Sequence, residues 1–93
     1  LTMVSTGTIA KPAPVIAKSN ELGALYMVSS GAAVGSVSQL NTLVECGLGS
    51  VVSVSATDTN TNIATTSLSA GTYKVYAVDI AGNISTGSSI TIS

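Results

Sequence analysis

The chain has 93 residues, of which 8% are charged, and its three lysines and four acidic residues give a net charge of −1. So few cations argue against binding to the phosphates of nucleic acid or to an anionic membrane surface. Its mean hydropathy is +0.57, but the apolar residues are scattered among Ser, Thr and Gly. No run of about 18–20 apolar residues exists to cross a bilayer, so we expect one domain with no transmembrane segment.

Enzyme chemistry has little support in this composition. There is no His, which excludes Ser-His-Asp and Cys-His mechanisms, and one Cys without His excludes a zinc cluster. The acidic residues Glu21, Glu45, Asp58 and Asp79 occur in no motif that forms a catalytic cleft. We therefore expect a protein that is not an enzyme and has no cofactor, apart from the calcium discussed below.

The N-terminal segment differs from the rest of the chain. Leu1–Ile9 is β-prone and uncharged, and it is followed by Lys11-Pro12-Ala13-Pro14. Proline cannot donate a hydrogen bond to a β-ladder, so the two prolines indicate a linker or an edge. We divide the chain into residues 1–11, an arm or linker, and residues 12–93, the domain itself. Leu1 as first residue suggests a processed chain or an excerpt of a longer one.

The domain is predicted to contain short strands and one helix. After the N-terminal segment, in chain order, the predicted elements are strands at Val15–Lys18 and Ala24–Ser29, a helix at Ser38–Cys46, and strands at Val51–Ala56, Ile63–Ser67, Thr72–Asp79 and Ile84–Ser93. About seven short strands at regular spacing, with no alternation of strands and helices, are typical of an all-β antiparallel sandwich.

The helix prediction depends on a capping residue and on spacing. Ser38 can accept hydrogen bonds as an N-cap, and Leu40, Leu43 and Val44 recur at helical spacing. Cys46, at the predicted helix end, cannot form an internal disulfide because it is the only cysteine. It is either a small, partly buried hydrophobe or a partner in an intermolecular disulfide.

The segment Leu68–Asp79 resembles the penultimate strand of fibronectin type III and related immunoglobulin-like domains. In that family a Leu and a Gly-Thr-x-Tyr turn precede alternating small apolar residues; here Leu68 is followed by Gly71-Thr72-Tyr73, without the residue between Thr and Tyr. The resemblance implies a tyrosine corner, in which the Tyr73 hydroxyl bonds to backbone just upstream and holds the start of the strand.

A second motif resembles a hairpin of bacterial immunoglobulin-like repeats. Val78-Asp79-Ile80-Ala81-Gly82-Asn83 matches the "VDxAGN" pattern found in surface-layer proteins and cell-wall adhesins, with Gly82 at the turn. Gly23–Val28, followed by the predicted helix, is similar to the "GxLYxV" strand of such repeats. The resemblance covers about residues 12–93 and implies an immunoglobulin- or fibronectin III-like sandwich on the outside of a bacterial cell.

One turn imitates a calcium loop. Asp58, Asn60 and Asn62 follow the D-x-N-x-N opening of an EF-hand, which points three oxygens at one position. The imitation ends there, because Ile63 replaces the required Gly and Ser69 replaces the final Glu. The alternatives are an Asx-rich turn and a structural calcium site. Asp79 and Asn83 present the same choice, between a second calcium half-site and a plain hairpin.

The terminal strands suggest how the domain contacts other chains. Leu1–Ile9 and Ile84–Ser93 carry no charge, although exposed strand edges normally carry Lys, Pro or bulges that prevent association. We expect self-association, or contact with neighbouring domains of the same protein, through side chains of these strands: Leu1, Met3, Ile9, Ile90 and Ile92. The alternatives for the N-terminal segment are pairing within its own sandwich and membership of a preceding domain.

The expected function is that of a structural domain of an extracellular bacterial surface assembly, either a surface layer or a filament. The alternative is a ligand- or carbohydrate-binding module of an adhesin or secreted enzyme, which predicts a clustered exposed aromatic or polar site. Tyr26 and Tyr76 are the candidate aromatic pair for such a platform, or else they pack in the domain.

Overall fold

The computed structural model describes residues 1–93. It is mostly β, with two sheets and one short helix, as the sequence predicts. Its elements, in chain order, are β1 (Thr2–Met3), β2 (Thr8–Ile9), β3 (Val15–Lys18), β4 (Gly23–Ser29), α1 (Val37–Glu45), β5 (Gly49–Val54), β6 (Thr61–Ile63), β7 (Gly71–Asp79) and β8 (Ser88–Ile92). The helix is nine residues long, and no helix of the chain has the length and apolar character needed to cross a membrane.

Two sheets face each other across the main core. The smaller has the order β1-β3-β6, and the larger has the order β2-β8-β7-β4-β5. All neighbours are antiparallel except β2 and β8, which are parallel. The expectation of a purely antiparallel sandwich is therefore wrong at this one pair, which connects the N-terminal segment to the last strand.

Side-chain alternation along β4 divides the apolar residues into two clusters. Leu25 and Met27 point between the sheets into the inner cluster, whose buried members also include Val15, Ala17, Val54, Ile63, Leu68, Tyr73, Val75, Ile90 and Ile92. Tyr26 and Val28 point to the opposite face of the larger sheet, as the period of two in a strand requires. A strand with both faces buried belongs in the middle of the structure, and β4 lies between β5 and β7.

The outer cluster is the contact between α1 and the larger sheet. Its buried members are Tyr26, Val28, Leu40 and Val78. The helix begins one residue earlier than expected, and its N-cap is Ser36, whose hydroxyl accepts a hydrogen bond from the Gln39 N–H. No residue of β5 belongs to this cluster, although α1 contacts both β4 and β5. On the outer face of β5, Gly49 is buried, whereas Val51 and Ser53 are exposed.

The N-terminal segment is part of the sandwich and not an arm. Thr2–Met3 pairs with β3 in the smaller sheet, and Thr8–Ile9 pairs with β8 in the larger one. Between them the Ser5 hydroxyl accepts a hydrogen bond from the Ile16 N–H at 2.8 Å. This is the alternative in which Leu1–Ile9 pairs within its own sandwich. The N-terminal segment passes from the smaller sheet to the larger one, and its two strands pair at the edges of different sheets.

Candidate functional site

The start of β7 is held by the Tyr73 hydroxyl. This hydroxyl donates a 2.6 Å hydrogen bond to the carbonyl of Ser69, four residues upstream, while the ring lies in the inner cluster beside Leu68. The Leu68 carbonyl in turn accepts a 2.7 Å hydrogen bond from Lys11 Nζ. Gly71 begins the strand. The contact is that of a tyrosine corner, and its role is structural.

The β7–β8 connection begins with a turn built by Asp79 and Asn83. The Asp79 carboxylate accepts hydrogen bonds from the Asn83 backbone N–H at 2.8 Å and from its side-chain amide at 3.0 Å. Gly82 has a φ of 89°, which a residue with a Cβ adopts only at a cost. The Asn83 side chain and, secondly, its backbone N–H lower the pKa of the Asp79 carboxyl below its ordinary value. Both carboxylate oxygens thus have partners within the turn.

A shallow depression lies at this end of the sandwich. It has a volume of about 210 Å³, and its lining includes Ser19, Glu21, Asp79, Asn83 and Ser85. The pairing of Gly23 with Asp79 brings the turn before β4 next to the turn after β7. The depression presents carboxylate, amide and hydroxyl oxygens, which suit a small polar ligand. Sequence reasoning missed Glu21 here because only strand register makes it a neighbour of Asp79.

The predicted Asp58–Asn62 turn is a turn only up to Asn60, because Thr61 and Asn62 belong to β6; Asp58 is exposed. Asp58 has a φ of 54°, and its N–H donates a 2.8 Å hydrogen bond to the carbonyl of Ser19. Asn60 and Asn62 are also exposed, and none of the three side chains forms a hydrogen bond within the protein. No three His, Cys, Asp or Glu side chains of the chain are grouped as metal ligands would be. Calcium binding by this turn stays a prediction.

The two candidate platform tyrosines are neighbours on the outer face of the larger sheet. Tyr26 and Tyr76 are directly paired across β4 and β7. Tyr26 is buried under α1, and its hydroxyl donates a 2.6 Å hydrogen bond to Asn41 Oδ1. It is therefore a packing residue that attaches the helix. Cys46 is exposed at the helix C-cap, so the interpretation of it as a partly buried hydrophobe is wrong.

The residues expected to contact other chains lie in the inner cluster or against it. Ile90 and Ile92 are 2% and 1% exposed in the inner cluster, and Leu1, Met3 and Ile9 are half-buried against the same cluster. Alternation explains this placement, because the apolar residues of a terminal strand point inward when that strand is paired. Assembly through these side chains stays a prediction.

The exposed edge of the larger sheet is β5. This strand pairs with β4 on one side only. Its sequence, Gly-Ser-Val-Val-Ser-Val, contains no charged residue and no proline, and Val51 is 43% exposed. These are the features of an edge that recruits another strand. The uncharged run was visible in the sequence, but only the sheet order shows that it lies at an edge.

No family model, curated protein or solved structure matches this chain.

Proposed function

We propose that this chain is an immunoglobulin-like structural domain of an extracellular bacterial surface assembly, a surface layer or a filament. It has no catalytic activity and contacts its neighbours through strand edges. The strand order supports the immunoglobulin-like assignment. In variable-type immunoglobulin sandwiches the last two strands share a sheet with the third strand and an extra edge strand, and β8, β7, β4 and β5 have that order here.

The observation that carries the assembly function is the bare edge of β5. Soluble monomers normally prevent association at a long edge with charge, proline or a bulge. The six residues of β5 include no charged side chain and no proline. The chain has seven charged residues, and none of them lies in this edge strand. An unprotected edge is a hazard for a monomer and a contact surface for a subunit.

Composition supports an extracellular position in a lattice or filament. With 8% charged residues, the surface is covered by hydroxyl groups and backbone, which bind neighbours by hydrogen bonds and packing more than by ion pairs. The hairpin around Gly82 adds the resemblance to bacterial surface repeats. Adjacent copies also provide burial that a small domain lacks on its own.

The test is the state of the purified protein as a function of concentration. Sedimentation equilibrium and electron microscopy should show oligomers or ordered polymers that grow with concentration. At the high local concentration of the protein on a cell surface, mass action favours such contacts even when the affinity of each one is low. A protein that stays monomeric up to millimolar concentration, with no ordered particles by microscopy, would contradict the proposal.

A second function is favoured by the depression beside Glu21 and Asp79. Carboxylates next to amides and hydroxyls are the groups that bind sugar hydroxyls, which fits the carbohydrate-binding alternative. NMR titration with a panel of soluble glycans tests it, with Asp79→Asn as the site variant and Asp58→Asn as the matched control. Binding lost only in Asp79→Asn supports this function, and no glycan-induced shifts at the depression contradict it.

A further inference from the structure

We propose that β5 pairs antiparallel with β5 of a second copy of this chain across a two-fold axis, with Val51 opposite Val51 of that copy. The inference rests on the proposed assembly function and names the partner and the register of its contact. Three observations carry it: the unused backbone groups of the edge, the shortness of every other edge, and the self-complementary side chains of β5.

The first observation is a row of free backbone groups. The Ser29 N–H donates to the Leu48 carbonyl, and this pair continues the β4–β5 register in which Met27 lies opposite Ser50. In an antiparallel ladder, hydrogen-bonded and non-hydrogen-bonded pairs alternate. Even-numbered residues of β5 therefore bond to β4, while the N–H and C=O groups of Gly49, Val51 and Ser53 point away from it.

None of these outward groups has a hydrogen-bond partner within the chain. An alternating row of donors and acceptors at strand spacing is matched by one kind of partner, which is another extended strand. The helix contacts β5 and Gly49 is buried, but the middle of the strand remains open to a partner. Both Val51 and Ser53 are exposed.

The second observation concerns which strand of a second molecule is long enough to pair with the free backbone groups of β5. The other edge strands, β1, β2 and β6, have two, two and three residues, too few to form a ladder of similar length. The N-terminal segment already pairs with β3 and β8, so it is not free to add to a neighbour. The remaining edge of six residues in a second molecule is its own β5.

The third observation is that β5 complements itself. With Val51 on the two-fold axis, Gly49 lies opposite Ser53 of the second copy, and Ser50 lies opposite its Val52. All of these pairs are uncharged, so self-pairing brings no like charges together. Val51, now 43% exposed, becomes covered by its counterpart. Because the operation is two-fold, the contact closes into a dimer, and a larger assembly needs a further contact outside β5.

A charged side chain introduced at Val51 tests whether the β5 edge forms the contact between the two copies. In Val51→Lys, two ammonium groups face each other across the axis, which should raise the dimer dissociation constant by at least about tenfold. The matched control is Thr72→Lys, which adds the same charge at an exposed position of the central strand β7. Sedimentation equilibrium should show a weakened dimer in the first variant and wild-type association in the second.

Cysteine cross-linking tests the register, in a Cys46→Ser background that removes the native thiol. Val51→Cys should form a disulfide-linked dimer on mild oxidation, because directly opposite Cα atoms are about 5.5 Å apart. Ser53→Cys should not, since the two Ser53 residues are displaced by four positions, roughly 14 Å along the strands. The cross-linking experiment introduces no charge, so it still tests the inference if the Val51→Lys protein does not fold.

The outcomes separate the two proposals. Wild-type association that persists in Val51→Lys, or cross-linking through position 53 in place of 51, overturns the β5 contact and leaves the assembly function standing. A wild-type protein that remains monomeric overturns both. Loss of association in Val51→Lys only, with cross-linking only at position 51, is the expected result.

Discussion

The Tyr73 hydroxyl stabilises the start of β7 through one hydrogen bond. It donates to the Ser69 carbonyl at 2.6 Å from a ring that is 6% exposed. Tyr73→Phe should lower the free energy of unfolding by about 1–2 kcal/mol, because it removes a hydrogen bond made by a buried side chain. Urea denaturation measures the change. Tyr76→Phe is the control, since the Tyr76 hydroxyl has no hydrogen bond; equal midpoints for Tyr73→Phe and the wild type would contradict the role.

The Asp79 carboxylate gives the domain a pH dependence at the acid end. Hydrogen bonds from the Asn83 side chain and backbone lower its pKa below the ordinary 3.8. A carboxylate with a depressed folded-state pKa stabilises the fold above its ordinary value, and this contribution is lost as the pH falls below 3.8 through the folded-state pKa.

In Asn83→Ala the backbone N–H still donates, so the pKa of Asp79 should rise only part of the way to its ordinary value. Carboxyl NMR titration measures this pKa. Asn60→Ala, an exposed amide in another turn, should leave it unchanged. A pKa of Asp79 that does not move in Asn83→Ala would show that the side-chain amide is not the main cause of the shift.

Calcium is the test of the Asp58, Asn60 and Asn62 turn. If the turn binds calcium, millimolar calcium should raise the melting temperature, because a ligand that binds only the folded state stabilises it. Asp58→Asn should abolish the rise, and Asp79→Asn should retain it. An unchanged melting temperature in calcium leaves the turn as an Asx-rich connection only.

At the scale of elements, α1 depends on the sheet beneath it. A nine-residue helix is marginal alone in water, and Leu40 is its one fully buried residue. Leu40→Ala should cost about 2–5 kcal/mol of unfolding free energy, since the cavity forms between α1 and the sheet.

Chemical denaturation, with helix content followed by circular dichroism, measures that loss. The control is Leu48→Ala, which should lower the unfolding free energy by less than about 0.5 kcal/mol, because Leu48 is 50% exposed just after the helix. Similar losses in the two variants would mean that the outer cluster does not hold the helix.

For the whole molecule, the N-terminal segment connects the two sheets along one side of the sandwich, because it pairs with β3 in the smaller sheet and with β8 in the larger one. Deleting residues 1–10 removes the β1–β3 and β2–β8 pairs and the half-buried Leu1, Met3 and Ile9. Partial burial of three apolar side chains is worth roughly 2–4 kcal/mol, so the denaturation midpoint should fall substantially. Because β5 is unaffected, the folded fraction should still associate. Val4→Ala, at a side chain 43% exposed, is the control, and a truncated protein as stable as the wild type would contradict this role.

Local pattern predicted most of the elements. The helix around Leu40 and the strands β3, β4 and β7 lie close to their expected positions, because helical spacing and strand alternation are properties of neighbouring residues. The Gly82 turn followed from the same local chemistry. Boundaries were less accurate at the helix start, where Ser36 and not Ser38 is the cap, since both serines satisfy the same preference.

The sequence was enough to predict the mostly β content, the approximate position of the helix and the hydrogen bond of the Tyr73 hydroxyl to upstream backbone, because each depends mainly on residues close along the chain. The positions of the sheet edges could not be predicted without the three-dimensional structure. Whether Ile90 points inward, whether Leu1–Ile9 stays in its own sandwich, and whether β5 is bare depend on pairing between strands distant in sequence. An uncharged run looks the same at an edge and in the middle of a sheet, because what differs is whether the backbone groups beside it have a partner.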